Sequence, residues 1–162
     1  MNYLKWLSFI FLAFLLQMHF FPFNQRLNLT VVVVYVFGLK SLSSQTRTYG
    51  FSSMAGTKSA LFGACIGLIE DILSGAIIGP NFFSKGIIGF ASTAIFSEVF
   101  FQWTRFWGGI ALFGITLFDG LIFTGLRVLF TNLHINDFVF LQGIAAPAVI
   151  NAAFGIIFRP RQ

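Results

Sequence analysis

Gly63-Ala-Cys-Ile-Gly67-Leu-Ile-Glu70-Asp71-Ile-Leu-Ser-Gly75-Ala-Ile-Ile-Gly79-Pro80 is an apolar stretch with two adjacent acids inside it. Gly63, Gly67, Asp71, Gly75 and Gly79 recur every four residues. On a helix each such step turns ~40° past a full revolution, so the five positions form one slowly drifting stripe. Consecutive Gly-x-x-x-Gly units let a second backbone approach closely, which is how helices associate in lipid without a hydrophobic drive between them. Gly86 and Gly89, at the start of the next apolar segment, extend this small-residue surface.

Glu70 and Asp71 fall near the middle of the expected span. A charged side chain at the centre of a membrane helix costs about 2.5–3.5 kcal/mol on insertion scales, so it is seldom retained without a purpose. Asp119, followed by Gly120, lies at comparable depth in a later segment. Arg127 is eight residues further on, about 12 Å along the axis, which is too far for a same-helix pair. Two readings compete for these acids. Either they line an ion or substrate pathway, or they hydrogen-bond to backbone, Ser, Asn or Lys groups of neighbouring helices. With no intramembrane histidine and no chain of acids, the second takes precedence.

The rest of the chain fits a membrane setting. Of 162 residues 57% are hydrophobic, 9% are charged and 24 are Phe, against roughly 25% charged residues in soluble domains. The segments 6–23, 27–39, 60–78, 82–101, 107–130 and 138–158 are apolar and define one multi-pass domain, 1–162. Six spans of about 20 residues leave no length for a soluble catalytic domain. The fold class expected is therefore an all-α integral membrane protein of about six transmembrane helices.

The second segment is the weakest. Its centre is Val31-Val32-Val33-Val34, but it is short for a crossing. A tilted helix, a re-entrant hairpin or a span recruiting Ser41–Ser44 are all open; a strand would leave backbone groups unpaired in lipid. Residues 1–16 resemble the charged and apolar regions of a signal peptide, yet no small-x-small cleavage site follows, so an uncleaved first span is expected.

Basic residues set orientation. With six spans and an inner N-terminus, Lys5, Lys40, Arg47, Lys58, Arg105, Arg159 and Arg161 face the cytoplasm, and Arg26, Lys85 and Arg127 face outward. Both termini are expected inside. The net charge of +5 then reflects this bias and attraction to anionic lipids rather than nucleic-acid binding. The polar stretch 40–58 reads as a cytoplasmic loop, and Trp103 and Trp107 around Arg105 as an interfacial anchor.

No catalytic, cofactor-binding or metal constellation is visible. His19 and His134 have no Cys or carboxylate at ligand spacing, the single Cys65 has no disulfide partner, and nucleophile-elbow, phosphate-loop and zinc-protease patterns are missing.

The pattern Gly63-x-x-x-Gly67-Leu-x-x-Asp71-x-Leu-Ser-Gly75-x-x-x-Gly79, followed by Gly86 and Gly89, resembles the MreD family of rod shape-determining proteins. Chain length, the short second segment, the polar loop and Asn151 ahead of Phe158 fit the same layout. Family members often open the second segment with Pro-Asp, where this chain has Asn28-Leu29. The resemblance implies a fold like the substrate-capture subunits of energy-coupling-factor vitamin transporters. It also implies a non-enzymatic scaffold in the bacterial cytoplasmic membrane, acting in lateral peptidoglycan synthesis. The implied partners are a bitopic MreC-like protein, the glycan polymerase and transpeptidase of the rod complex and, indirectly, MreB-like filaments. The alternative is a capture subunit of a vitamin-type transporter, motivated by Asp71 and Asp119; the bulky first span, with no small-x-x-x-small surface, argues against it.

Overall fold

Val31-Val32-Val33-Val34-Tyr35, the heart of the weakest segment, is the centre of the molecule: all five side chains are buried. The computed structural model describes residues 3–19, 28–43, 53–75, 77–98, 105–131 and 137–157. These form six helices: α1 (Tyr3–His19), α2 (Leu29–Ser43), α3 (Ser53–Ser74), α4 (Pro80–Glu98), α5 (Arg105–Thr131) and α6 (Asp137–Ile157). The described residues contain no strand.

Helix α2 packs against all five others. An all-round apolar helix needs to be surrounded by protein or lipid, and here protein surrounds it. That position explains its sequence: β-branched residues on every face, with no polar stripe. Of the options open for this segment, the helix runs on through Ser43.

Helices α3 and α4 form the closest pair and α5 and α6 the next. The α3–α4 seam is antiparallel and made by glycines. A Cβ on Gly63 would overlap the carbonyl of Lys85, one on Gly67 that of Asn81, and one on Gly89 that of Ser59. Each four-residue step down α3 is thus matched by a four-residue step back along α4. In the second pair, Gly155 meets the Gly108 carbonyl in the same manner, and Gly120 makes room for the Ile144 side chain.

Helix α1 lies at the rim, backbone against α2. Trp6 packs edge-on to Phe37 and Phe62, which are themselves stacked 3.8 Å apart, and the Lys40 ammonium sits 5.4 Å above the Trp6 ring.

Three expectations need correction. The third helix begins at Ser53 and stops at Ser74, because Gly75 turns into a left-handed conformation (φ 61°) open to glycine at no steric cost. Glu70 and Asp71 therefore lie in its last turns, not at its middle. Gly75 and Gly79 (φ 136°) are connection residues where an added Cβ would meet no neighbour closer than 4.0 Å, so the stripe ends before them. Finally, Lys85 is no outward-facing surface charge; it is 1% exposed, inside the bundle.

The outside is apolar. Leu7, Phe11 and Leu12 of α1, Leu61 and Ile72 of α3, Phe83 and Phe90 of α4, Phe106 and Leu129 of α5 and Val149 of α6 are all exposed. Phe106–Phe130 is the one described helix long and apolar enough by itself to cross a membrane; Trp6–Gln17, Leu29–Ser41 and Gly143–Ile157 are apolar but shorter.

Candidate functional site

Successive helix residues point ~100° apart, so Glu70 and Asp71 leave α3 in different directions. Asp71 faces the start of α4. Its carboxylate accepts hydrogen bonds from the backbone N–H groups of Gly79 (2.8 Å), Asn81 (3.2 Å) and Phe82 (3.1 Å), and from the Asn81 side-chain amide (2.9 Å). The first N–H groups of a helix have no partner within it and carry the positive end of its dipole. Asp71 supplies that partner from the preceding helix, while Pro80 opens α4 at a position where no N–H is needed. The acid acts as a helix cap that ties two helices together.

Glu70 turns inward, 8% exposed. It meets Lys85 of α4, whose Nζ lies 3.4 Å from Glu70 Oε2 and 2.9 Å from Asp119 Oδ2 of α5. Asp119 accepts two further hydrogen bonds, from Asn28 Nδ2 (2.5 Å) and from the Ser84 hydroxyl. Glu70 Oε1 accepts from Thr30 Oγ1 (2.5 Å) and Gln17 Nε2 (3.1 Å). Asn151 of α6 completes the ring: its amide donates to the Asn28 carbonyl (2.9 Å) and to Thr116 Oγ1 (3.2 Å). Residues from all six helices and from the residue just ahead of α2 thus converge on one buried lysine.

Burying an ion is costly, and mutual attraction offsets that cost only where geometry and extra hydrogen bonds are good. Lys85 and Asp119 meet that condition, each 1% exposed. The same low dielectric that makes a lone charge expensive makes this pair strong. The acids identified in the sequence have become two devices: Asp71 a cap, and Glu70 with Asp119 the acidic partners of Lys85.

Among the glycines singled out, Gly63, Gly67 and Gly89 hold α4 against α3, and Gly86 rests on Ala64 at ordinary contact distance. The close approach they permit is filled by this chain's own helix. Sequence reasoning missed Lys85, Thr30, Gln17 and Ser84 as members of the site. The available signal was Lys85 itself, since a lysine inside an apolar segment calls for an acidic partner. Asn28 drew notice only as a departure from a familiar pattern, yet it holds Asp119. Arg26 and the loop residues 44–52 lie outside the described residues.

Among the described residues no three His, Cys, Asp or Glu side chains are grouped to hold a metal ion. Cys65 is exposed on α3. No protein-family model, curated protein or solved structure matches this chain.

Proposed function

We propose that this chain is a multi-pass protein of the bacterial cytoplasmic membrane, with both termini cytoplasmic, that serves as a non-enzymatic scaffold of the cell-elongation complex. One observation carries the membrane reading: large apolar side chains cover the outside of five helices while Lys85, Glu70, Asp71 and Asp119 are buried inside. That is the distribution lipid demands, with charges paired in the interior and hydrocarbon outside. A water-soluble monomer rarely exposes so continuous an apolar surface. The short α2 fits as well, being shielded from lipid by the other helices and free of the need to match bilayer thickness alone.

The scaffold reading rests on the resemblance of residues 63–89 to the MreD family and on how the acids are used. Asp71 and Asp119 have their oxygens filled by donors of the chain itself, which supports a framework role for them. The partners proposed are an MreC-like bitopic protein and, through it, the glycan polymerase, the transpeptidase and MreB-like filaments. The test is affinity purification of the tagged chain from membranes, together with depletion in a rod-shaped host. Recovery of the MreC-like protein and rounding of depleted cells are expected. Normal rods with no such protein recovered would overturn the reading.

A transporter capture subunit is the second reading, favoured by the concentration of polar groups around Lys85. Uptake of a vitamin-type solute by vesicles containing the chain and a coupling module would establish it instead.

A further inference from the structure

Among the described residues, the charges around Lys85 do not balance as ions. Two carboxylates, Glu70 and Asp119, face one ammonium in a cluster whose three members are at most 8% exposed. An uncompensated buried charge is resolved by taking up a proton or a counter-ion.

The hydrogen bonds discriminate between the two acids. Asp119 receives donors on both oxygens: Lys85 and Asn28 on Oδ2, Ser84 on Oδ1. Glu70 is asymmetric. Its Oε1 accepts from Thr30 and Gln17, whereas its Oε2 has no hydrogen bond and lies 3.4 Å from Lys85 Nζ, against 2.9 Å for Asp119. The Thr30 hydroxyl has a single proton to give, and at 2.5 Å Glu70 Oε1 takes it in preference to Asn28 Oδ1 at 3.1 Å; donors on one oxygen and none on the other is the pattern of a carbonyl and a hydroxyl.

The second orphan completes the picture. Gln17 Oε1 is also buried without a hydrogen-bond partner, and Gln17 Nε2 already donates to Glu70 Oε1 at 3.1 Å. A carboxylic acid and a carboxamide join through two parallel hydrogen bonds, N–H to carbonyl and O–H to amide oxygen. The first is present, and the two atoms left over are those the second would join.

We propose that Glu70 is a proton-binding site, its Oε2 hydroxyl held by Gln17, so that Glu70, Lys85 and Asp119 together are electroneutral. Binding adds one proton from water to the Glu70 carboxylate, and release returns it. Among the described residues, the groups facing Glu70 are Gln17 of α1, Thr30 of α2 and Lys85 of α4, with Asp119 of α5 behind Lys85; Asp71, its chain neighbour, faces the α4 terminus. The proton has a mechanical consequence. Among the described helices, α1 has its backbone only against α2, and the Gln17–Glu70 pair is a polar clasp between it and α3. Loss of the proton removes half of that clasp and leaves an extra buried negative charge beside Lys85.

The test is infrared spectroscopy of the purified chain in lipid nanodiscs in neutral buffer, comparing light and heavy water. The chain has five Asp and Glu residues, so assignment by substitution is tractable. The wild type is expected to show a protonated-carboxyl carbonyl band that shifts in heavy water. The band is expected to vanish in Glu70→Gln, which keeps an amide donor toward Gln17 and so should fold. It is also expected to vanish in Asp119→Asn, where Lys85 is left to Glu70 alone and Glu70 ionises. A wild type without the band, a band that persists in Glu70→Gln, or a folded state that depends on sodium over potassium would each overturn the proposal, the last by assigning the missing charge to a metal cation.

Discussion

Lys85 of α4 and Asp119 of α5 meet at 2.9 Å with both side chains about 1% exposed, thirty-four residues apart in sequence. Their contact is internal to neither of the closest helix pairs, α3–α4 and α5–α6. The ion pair instead joins one pair to the other, and Glu70, Asn28 and Asn151 extend it to α3, the start of α2 and α6.

Breaking that joint should be severe. Lys85→Met leaves the buried Asp119 carboxylate without its cation and should cost about 3–5 kcal/mol. Lys85→Met combined with Asp119→Leu removes both ions and should recover much of the loss. Unfolding in a denaturing-detergent titration measures both; a double variant as unstable as the sum of its singles would show that the two residues are not coupled.

The Asp71 cap makes a local prediction. Asp71→Ala strips an acceptor from three backbone N–H groups, at about 1–3 kcal/mol for a buried donor left unsatisfied. Asp71→Asn keeps one carbonyl oxygen and should fall between it and wild type. Hydrogen exchange at the amides of Asn81 and Phe82 should accelerate in that order, with the far end of α4 affected less.

Glycines should divide by sign. Gly67→Ala drives a methyl into the Asn81 carbonyl and should destabilise by about 1–3 kcal/mol, as overpacking does. Gly114, in α5, has nothing within 4 Å of where a Cβ would stand. Gly114→Ala should be neutral or stabilising by up to ~1 kcal/mol, because alanine is the better helix former. Thermal unfolding of the two variants in one detergent decides it.

Ionic strength should matter little. Buried pairs are screened far less than exposed ones, so the midpoint of unfolding should stay nearly constant between low salt and molar salt. A steep fall would place Lys85 and Asp119 in contact with water.

The six helices were legible because each is a run of apolar residues long enough to stand out, including the Val31–Val34 segment that became the core. The Gly63 and Gly67 spacing announced a close backbone approach but not its occupant, since repeat spacing records that a surface is small without recording what covers it. Asp71 and Asp119 were legible as paired groups, with partners of the right chemical kinds. Lys85 was misread because distance from a segment's start indicates depth only when the helix begins at the surface. Here α4 starts against Asp71, and its sixth residue is already inside. Asn28, Thr30 and Gln17 sit near segment ends, where polar residues are ordinary, and only the folding of α1 and α2 onto α3 brings them to Glu70.

Native Cys65 reports, without any substitution, on whether the polar interior is wrapped in a lipid-facing exterior. It is the single cysteine of the chain and is exposed on α3, between Gly63 and Gly67 in sequence. In intact membranes it should resist a charged, water-soluble maleimide, react with a lipid-permeable one, and label with both after denaturation. Rapid labelling by the charged reagent in intact membranes would place that face of α3 in water and contradict the account.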